Sequence, residues 1–168
     1  MNYCRRDDDY AKKHHAKLDN AYRHLLHSVA RVERNHNVGL DQQGVDVSIV
    51  FDRGTIHLDE KIRRKYYGDF LVEVSDDSQR YGTRPGWATD PDKITDVVAY
   101  VVPDFPGDPS SGGRVWFVNY PALRCVTLAE FQHRPRVAAP NPTHTTWNVS
   151  VKWKDLSKHQ VPFVETRF

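Results

Sequence analysis

Cysteine is scarce in this chain. Cys4 and Cys125 are the only two in 168 residues and no C-x-x-C pair occurs, which excludes a disulfide framework or a cysteine zinc site and suits a reducing compartment. Long apolar runs are lacking too: the greasiest stretch, Val97 to Val102, is about a third of a membrane span, and no charged-then-apolar leader opens the sequence. Charge of one sign is also missing, since 24 Lys and Arg stand against 22 Asp and Glu, a net +2 that permits nucleic-acid binding without requiring it. No internal repeat or low-complexity block is visible, which excludes solenoids and propellers. What is present, 39% hydrophobic and 11% aromatic residues, is enough for one core, so residues 1–168 are expected to form a single domain, soluble and cytoplasmic.

Asp7, Asp8 and Asp9 place negative charge at a helix start, and Leu18, Tyr22, Leu25, Val29 and Val32 recur at helical spacing. The pattern predicts one amphipathic helix from about Asp9 to Arg34, ended by Asn35, His36, Asn37 and Gly39. Val45 to Phe51 reads as a strand, Asp52-Arg53-Gly54 as a turn, Thr55 to Ile62 as a second strand and Phe70 to Val74 as a third. Ser75 to Pro91 is polar loop apart from Trp87. Asp90 or Asp92 then caps a helix through Tyr100 whose apolar stripe is Ile94, Val97, Val98 and Val101. Past a Pro/Gly/Ser loop from Pro103 to Gly113, a strand (Arg114 to Val118), a helix (Ala122 to Gln132) and a strand (Thr145 to Trp153) complete an α/β order, α-β-β-β-α-β-α-β.

The hairpin carries the chemistry. Strand side chains alternate, so Asp46 and Ser48 share one face of the first strand, and His57, Asp59 and Lys61 share one face of the second. A two-residue turn at Arg53-Gly54 would set Asp46 against Lys61 and Ser48 against Asp59, bringing both polar faces together. Two carboxylates and an ammonium on adjacent strands suit metal-assisted phosphodiester hydrolysis: hard oxygen ligands for magnesium, and a cation beside the attacking water and the phosphate.

At these residues the chain resembles the PD-(D/E)XK nuclease superfamily, over roughly residues 9–118. Asp46 matches the first aspartate of the motif and Asp59-Glu60-Lys61 its (D/E)XK element; Val45 stands where proline is usual, and Asp59 where Glu is commoner. The resemblance implies a restriction-endonuclease-like core (α-β-β-β-α-β) with a mixed central sheet, here with C-terminal helix and strand additions. It further implies a DNA nuclease using Mg2+ or Mn2+ and no organic cofactor, in which Asp46 and Asp59 bind metal through carboxylates, Glu60 through its backbone carbonyl, and Lys61 is the catalytic lysine. A second likeness, to phage and mobile-element nuclease-like proteins, rests on Tyr67-Gly68-Asp69 to Val74, Pro85-Gly86-Trp87 and Lys93 to Tyr100. It makes Glu73 a candidate extra ligand and the host-cell cytoplasm the setting. In several such nucleases an acid from the first helix joins the metal, which makes Glu33 a candidate as well.

Arg63, Arg64 and Lys65 follow the motif strand, and Arg80 and Arg84 precede Trp87, so all five are candidate phosphate contacts, with His57 on the site face. Duplex cleavage often takes two copies, which makes a homodimer a candidate assembly. Asn35-His36-Asn37 and the His24/His27 pair lack the further ligands a metal site needs. The four tryptophans read as packing before base stacking. Two alternatives compete: a non-catalytic phage-type DNA-binding or host-protein-binding module retaining the fold, and an exposed Asp46–Lys61 cross-strand pair in an unrelated α+β protein.

Overall fold

The computed structural model describes residues 3–78, 82–141 and 144–168; Arg80 and the side chains before Asp9, Cys4 included, lie outside it. Helix α1 (Tyr3–Leu25) buries Leu18 and Tyr22 completely. It stops at Leu25, not Arg34: Ser28 takes a left-handed conformation (φ 62°) and turns the chain into strand β1 (Val29–Arg34). Val29 and Val32 fit a helical stripe by spacing, but they are β-branched, and as strand residues they pack against the same core while pairing with the next strand. The Asn37 side chain accepts a hydrogen bond from the Gly39 N–H and caps a short helix α2 (Val38–Gln42) that the sequence reading leaves out. Gly44 follows with φ 77°, and the Thr95 hydroxyl donates to its carbonyl at 2.6 Å. That turn sends Val45 into the core and delivers Asp46 to the start of β2 (Val47–Phe51).

Strands β2 and β3 (Gly54–Ile62) pair with Ser48 opposite His57 and Phe51 opposite Gly54, so the loop is Asp52-Arg53 and the register is two residues from the expected one. A slip of two keeps every side chain on its face, which is why the hydrophobic pattern alone cannot choose between the registers. Strand β4 (Phe70–Ser78) leaves this sheet, and β5 (Gly82–Pro85) pairs back on it. The segment expected as a helix through Tyr100 is strand β6 (Val97–Pro103). Its run of β-branched residues is buried on both faces, the mark of a central strand, and a spacing of three and four cannot separate that from a helix. Then come β7 (Gly113–Asn119), α3 (Tyr120–Ala129) with a 3-10 turn at Phe131–His133, β8 (Val137–Pro140), β9 (His144–Val151), α4 (Trp153–Lys158) and β10 (Phe163–Arg167).

Among the described residues six strands form a mixed sheet, β1-β2-β3-β6-β7-β10, in which only β3 and β6 run parallel; a second sheet has the order β5-β4-β9-β8. The meander is therefore β1-β2-β3, with Phe70 to Val74 in the other sheet; β4 runs on to Ser78 and β5 spans Gly82–Pro85 where only polar loop was expected, because the two segments pair with each other, and with a buried Gly86-to-Thr89 loop they connect the parallel β3 and β6. Leu58, Ala99, Val101 and Val115 face α1, while Val98, Tyr100 and Trp116 face Phe70, Val72 and Val149 of the second sheet. The fold is mixed α/β with few helices, and among the described residues no helix is long and apolar enough to cross a membrane.

Candidate active site

Asp46 lies one residue before β2, yet the ladder runs through it: its N–H donates to the Leu58 carbonyl and its carbonyl accepts from Asn35 N–H, both at 2.9 Å. Its carboxylate accepts the Glu60 N–H at 2.7 Å, capping a donor that β2 is too short to reach. Leu58 and Glu60 direct their backbone groups toward β2, so the Glu60 carbonyl points to the side on which the Asp46 carboxylate sits.

His57, Asp59 and Lys61 occupy the face of β3 that looks toward the second sheet, opposite Leu58 and Glu60. Lys61 Nζ lies 2.6 Å from Asp59 Oδ1, and Asp46 is within hydrogen-bonding reach of the same carboxyl. Asp59 is only 3% exposed. Burial above all, with the neighbouring Asp46 charge, pushes its pKa up to about 7 against the pull of Lys61. Burial also works against the Lys61 ammonium, but Asp59, Asp46 and Glu73 hold its pKa above the ordinary lysine value.

Glu73 approaches Lys61 from the second sheet. A β-bulge between Glu73 and Ser75 breaks the β4–β9 register there, and the Gly86-to-Thr89 loop fills the gap: Gly86 N–H donates to Val74 O at 3.1 Å, and Ala88 N–H to Glu73 O at 3.1 Å. A Cβ on Gly86 would stand 2.5 Å from Glu73 O, so only glycine fits. The Trp87 N–H donates to the Glu73 carboxylate; burial nevertheless raises its pKa. The Trp87 ring centroid is 5.4 Å from Lys61 Nζ. Tyr120, which no sequence motif marks, donates its hydroxyl to Trp87 O at 2.8 Å and pins this loop.

The Glu60 side chain turns to the opposite face and enters a network under α1. Arg34 Nη1 lies 2.7 Å from Glu60 Oε2, Arg34 Nη2 lies 2.7 Å from Asp19 Oδ1, and the Tyr22 hydroxyl donates to Glu60 Oε1 at 2.5 Å. A cleft of about 680 Å³ opens beside it, lined by His15, Arg34, His36, Asp46 and Glu60.

Asp46, Asp59, Lys61 and Glu73 are thus brought into one cluster. Glu33 is not: it sits on β1 instead of a helix, half exposed, with its carboxylate 2.9 Å from Arg31 Nε. His57 shares the site face, its Nδ1 3.1 Å from Ser48 Oγ. Arg63 packs over Tyr100, Arg64 over Tyr10 and Lys65 over Tyr67, while Arg84 lies exposed on β5. Trp87 and Trp116 are buried, and the indoles of Trp147 and Trp153 donate to Asp77 and the Tyr66 hydroxyl.

Carboxylate and backbone carbonyl oxygens are the donor types that hard divalent cations take, and the raised pKa of Asp59 comes first from its burial. Among the described residues no group of three or more His, Cys, Asp or Glu side chains stands ready to hold a metal ion. Searches against family models, curated proteins and solved structures return no match for this chain.

Proposed function

We propose that the chain is a metal-dependent nuclease of the PD-(D/E)XK type that hydrolyses DNA phosphodiester bonds. The observation that carries this reading is the acid pair of half-buried Asp46 and buried Asp59 with Lys61 against it, at the end of a three-stranded meander beneath a helix. Asp46 and Asp59, with the Glu60 carbonyl, would hold the cation, whose chemistry is Lewis-acid polarisation of the phosphoryl group and acidification of water. Lys61 keeps its proton, so it acts as a donor to a phosphate oxygen or to the attacking water, stabilising charge that develops on phosphorus. Glu73 and the Trp87 ring also attract that ammonium. In place of a crossover helix, the excursion through β4 and β5 brings Glu73 to the site.

The test is cleavage of plasmid, duplex and single-stranded DNA with Mg2+ or Mn2+. Asp59→Ala and Lys61→Ala should each lose roughly a hundredfold to a thousandfold in rate while keeping the far-UV circular dichroism of the native chain. A wild-type protein that cleaves none of these substrates with either metal overturns the reading.

The short Lys61–Asp59 pair favours a second reading, in which the fold serves as a non-catalytic DNA-binding or host-protein-binding module: Lys61 already neutralises the carboxylate that a cation would occupy. Calorimetric titration with Mn2+ separates the two. Saturable binding lost in Asp59→Asn supports the nuclease, and no binding at a pH well above the Asp59 pKa supports the module.

A further inference from the structure

Beyond the acidic site, β6 leads to a groove of about 300 Å³ lined by Arg64, Lys65, Tyr66, Pro103, Asp104 and Arg114, among others. Lys61 pairs with Tyr100, and the groove begins at Val102, two residues further along β6 or about 7 Å. Its one carboxylate, Asp104, lies 2.6 Å from Arg167 Nη2 and so is neutralised from outside. Two of its cations, Lys65 and Arg114, lie against aromatic rings. The Arg114 guanidinium lies 4.3 Å from the Tyr66 ring centroid and 5.2 Å from that of Trp116, with its nearest carboxylate, Glu165, at 3.9 Å; Lys65 Nζ is 4.9 Å from the Tyr67 centroid. A ring fixes a cation in place without cancelling its charge. Two aromatic side chains stand out at the rim: Tyr67 is 64% exposed, and Phe105, between groove-lining Asp104 and Pro106, is 69% exposed.

Positive charge in a concave track flanked by exposed rings is what an unpaired strand needs, because phosphates follow the cations and splayed bases stack on the rings, whereas a duplex keeps its base faces covered. We infer that this groove binds a single-stranded segment of DNA leading into the acidic site, with Lys65 and Arg114 on phosphates and Tyr67 on a base. The inference deepens the nuclease reading and rests on it for the identity of the ligand.

Fluorescence anisotropy of a labelled single-stranded oligodeoxynucleotide in EDTA tests it without any cleavage. The wild type is expected to bind the single strand at least about tenfold more tightly than the matching duplex. Tyr67→Ala should weaken binding roughly tenfold, and Lys65→Ala should lower the slope of log affinity against log salt by about 0.7, the value for one lost contact to a single strand. Arg114→Ala should weaken binding as well; because Arg114 packs on core aromatics, the exposed Lys65 and Tyr67 variants carry the test if that variant unfolds. Equal or tighter duplex binding, or a Lys65→Ala/Tyr67→Ala double variant that binds like the wild type, overturns the inference. The two proposals fail separately: groove-dependent binding without metal-dependent cleavage leaves the groove and removes the nuclease, and cleavage with unaltered binding in the double variant does the reverse.

Discussion

Asp59 is the residue whose burial has the most measurable consequence. In the unfolded chain it ionises near the ordinary aspartate value of 3.8, and in the native protein near 7, so between those limits the folded state holds a proton that the unfolded state has released. Native stability therefore falls as pH rises from about 4 to about 7 and levels off above, a loss of a few kcal/mol from this group. Asp59→Asn, with Lys61 still facing Asp46 and Glu73, should remove that slope. Urea unfolding should find the variant more stable than wild type at pH 8 and close to it at pH 4. On the proposed nuclease function a divalent cation would compete with the same proton, so Mn2+ affinity should rise through the same window and then plateau. At this scale the sequence was informative, because strand alternation puts Asp46, Asp59 and Lys61 on one face in the expected register and in the observed one two residues away, and Glu73 from the second sheet joins them. Alternation also puts Glu60 on the apolar face with Leu58, but the sequence was silent on Tyr120 and on Arg34 as the partner of Glu60, since nothing local announces which loop a tyrosine will pin or which cation a buried acid will meet.

Among the elements, α1, β1 and β3 are tied by one largely buried guanidinium. Arg34 joins Asp19 on α1 to Glu60 on β3, and Glu60 sits between the site residues Asp59 and Lys61. Removing one partner of a buried pair leaves an uncompensated charge, so Arg34→Ala is expected to cost about 3–5 kcal/mol in urea unfolding, and Arg34→Met/Glu60→Leu should recover most of that loss. The Gly86 loop gives a second measurable case. Gly86→Ala forces a Cβ against Glu73 O, and the overpacking should cost about 1–3 kcal/mol while displacing the acid from Lys61. Strands with clear alternation, such as β2, β3 and β9, can be read from sequence. Strand β6 cannot, since a strand enclosed on both sides loses its period of two, and β1 hides because its two valines also satisfy a helical stripe.

For the molecule as a whole, one mixed sheet serves two apolar layers, with α1 on one side and the second sheet on the other. The buried tryptophans Trp87 and Trp116 belong to the layer between the sheets, and Trp147 and Trp153 pack against it, so indole emission reports that layer alone while far-UV dichroism reports both. Because β6 faces both layers, the two signals are expected to give coincident urea transitions; a separation would mean that the layers unfold independently. The class of fold was legible from the mixture of helical and strand patterns. The two-sheet arrangement was not, because partners such as Asp77 and Trp147 lie 70 residues apart. That distance along the chain sets an order of events during refolding. The hairpin that carries Asp46, Asp59 and Lys61 can close within a few dozen residues, while the ribbon bearing Glu73 must await a far-off partner, so after dilution from denaturant the burial of Trp87 beside Lys61, read by indole emission, should lag behind the recovery of secondary structure.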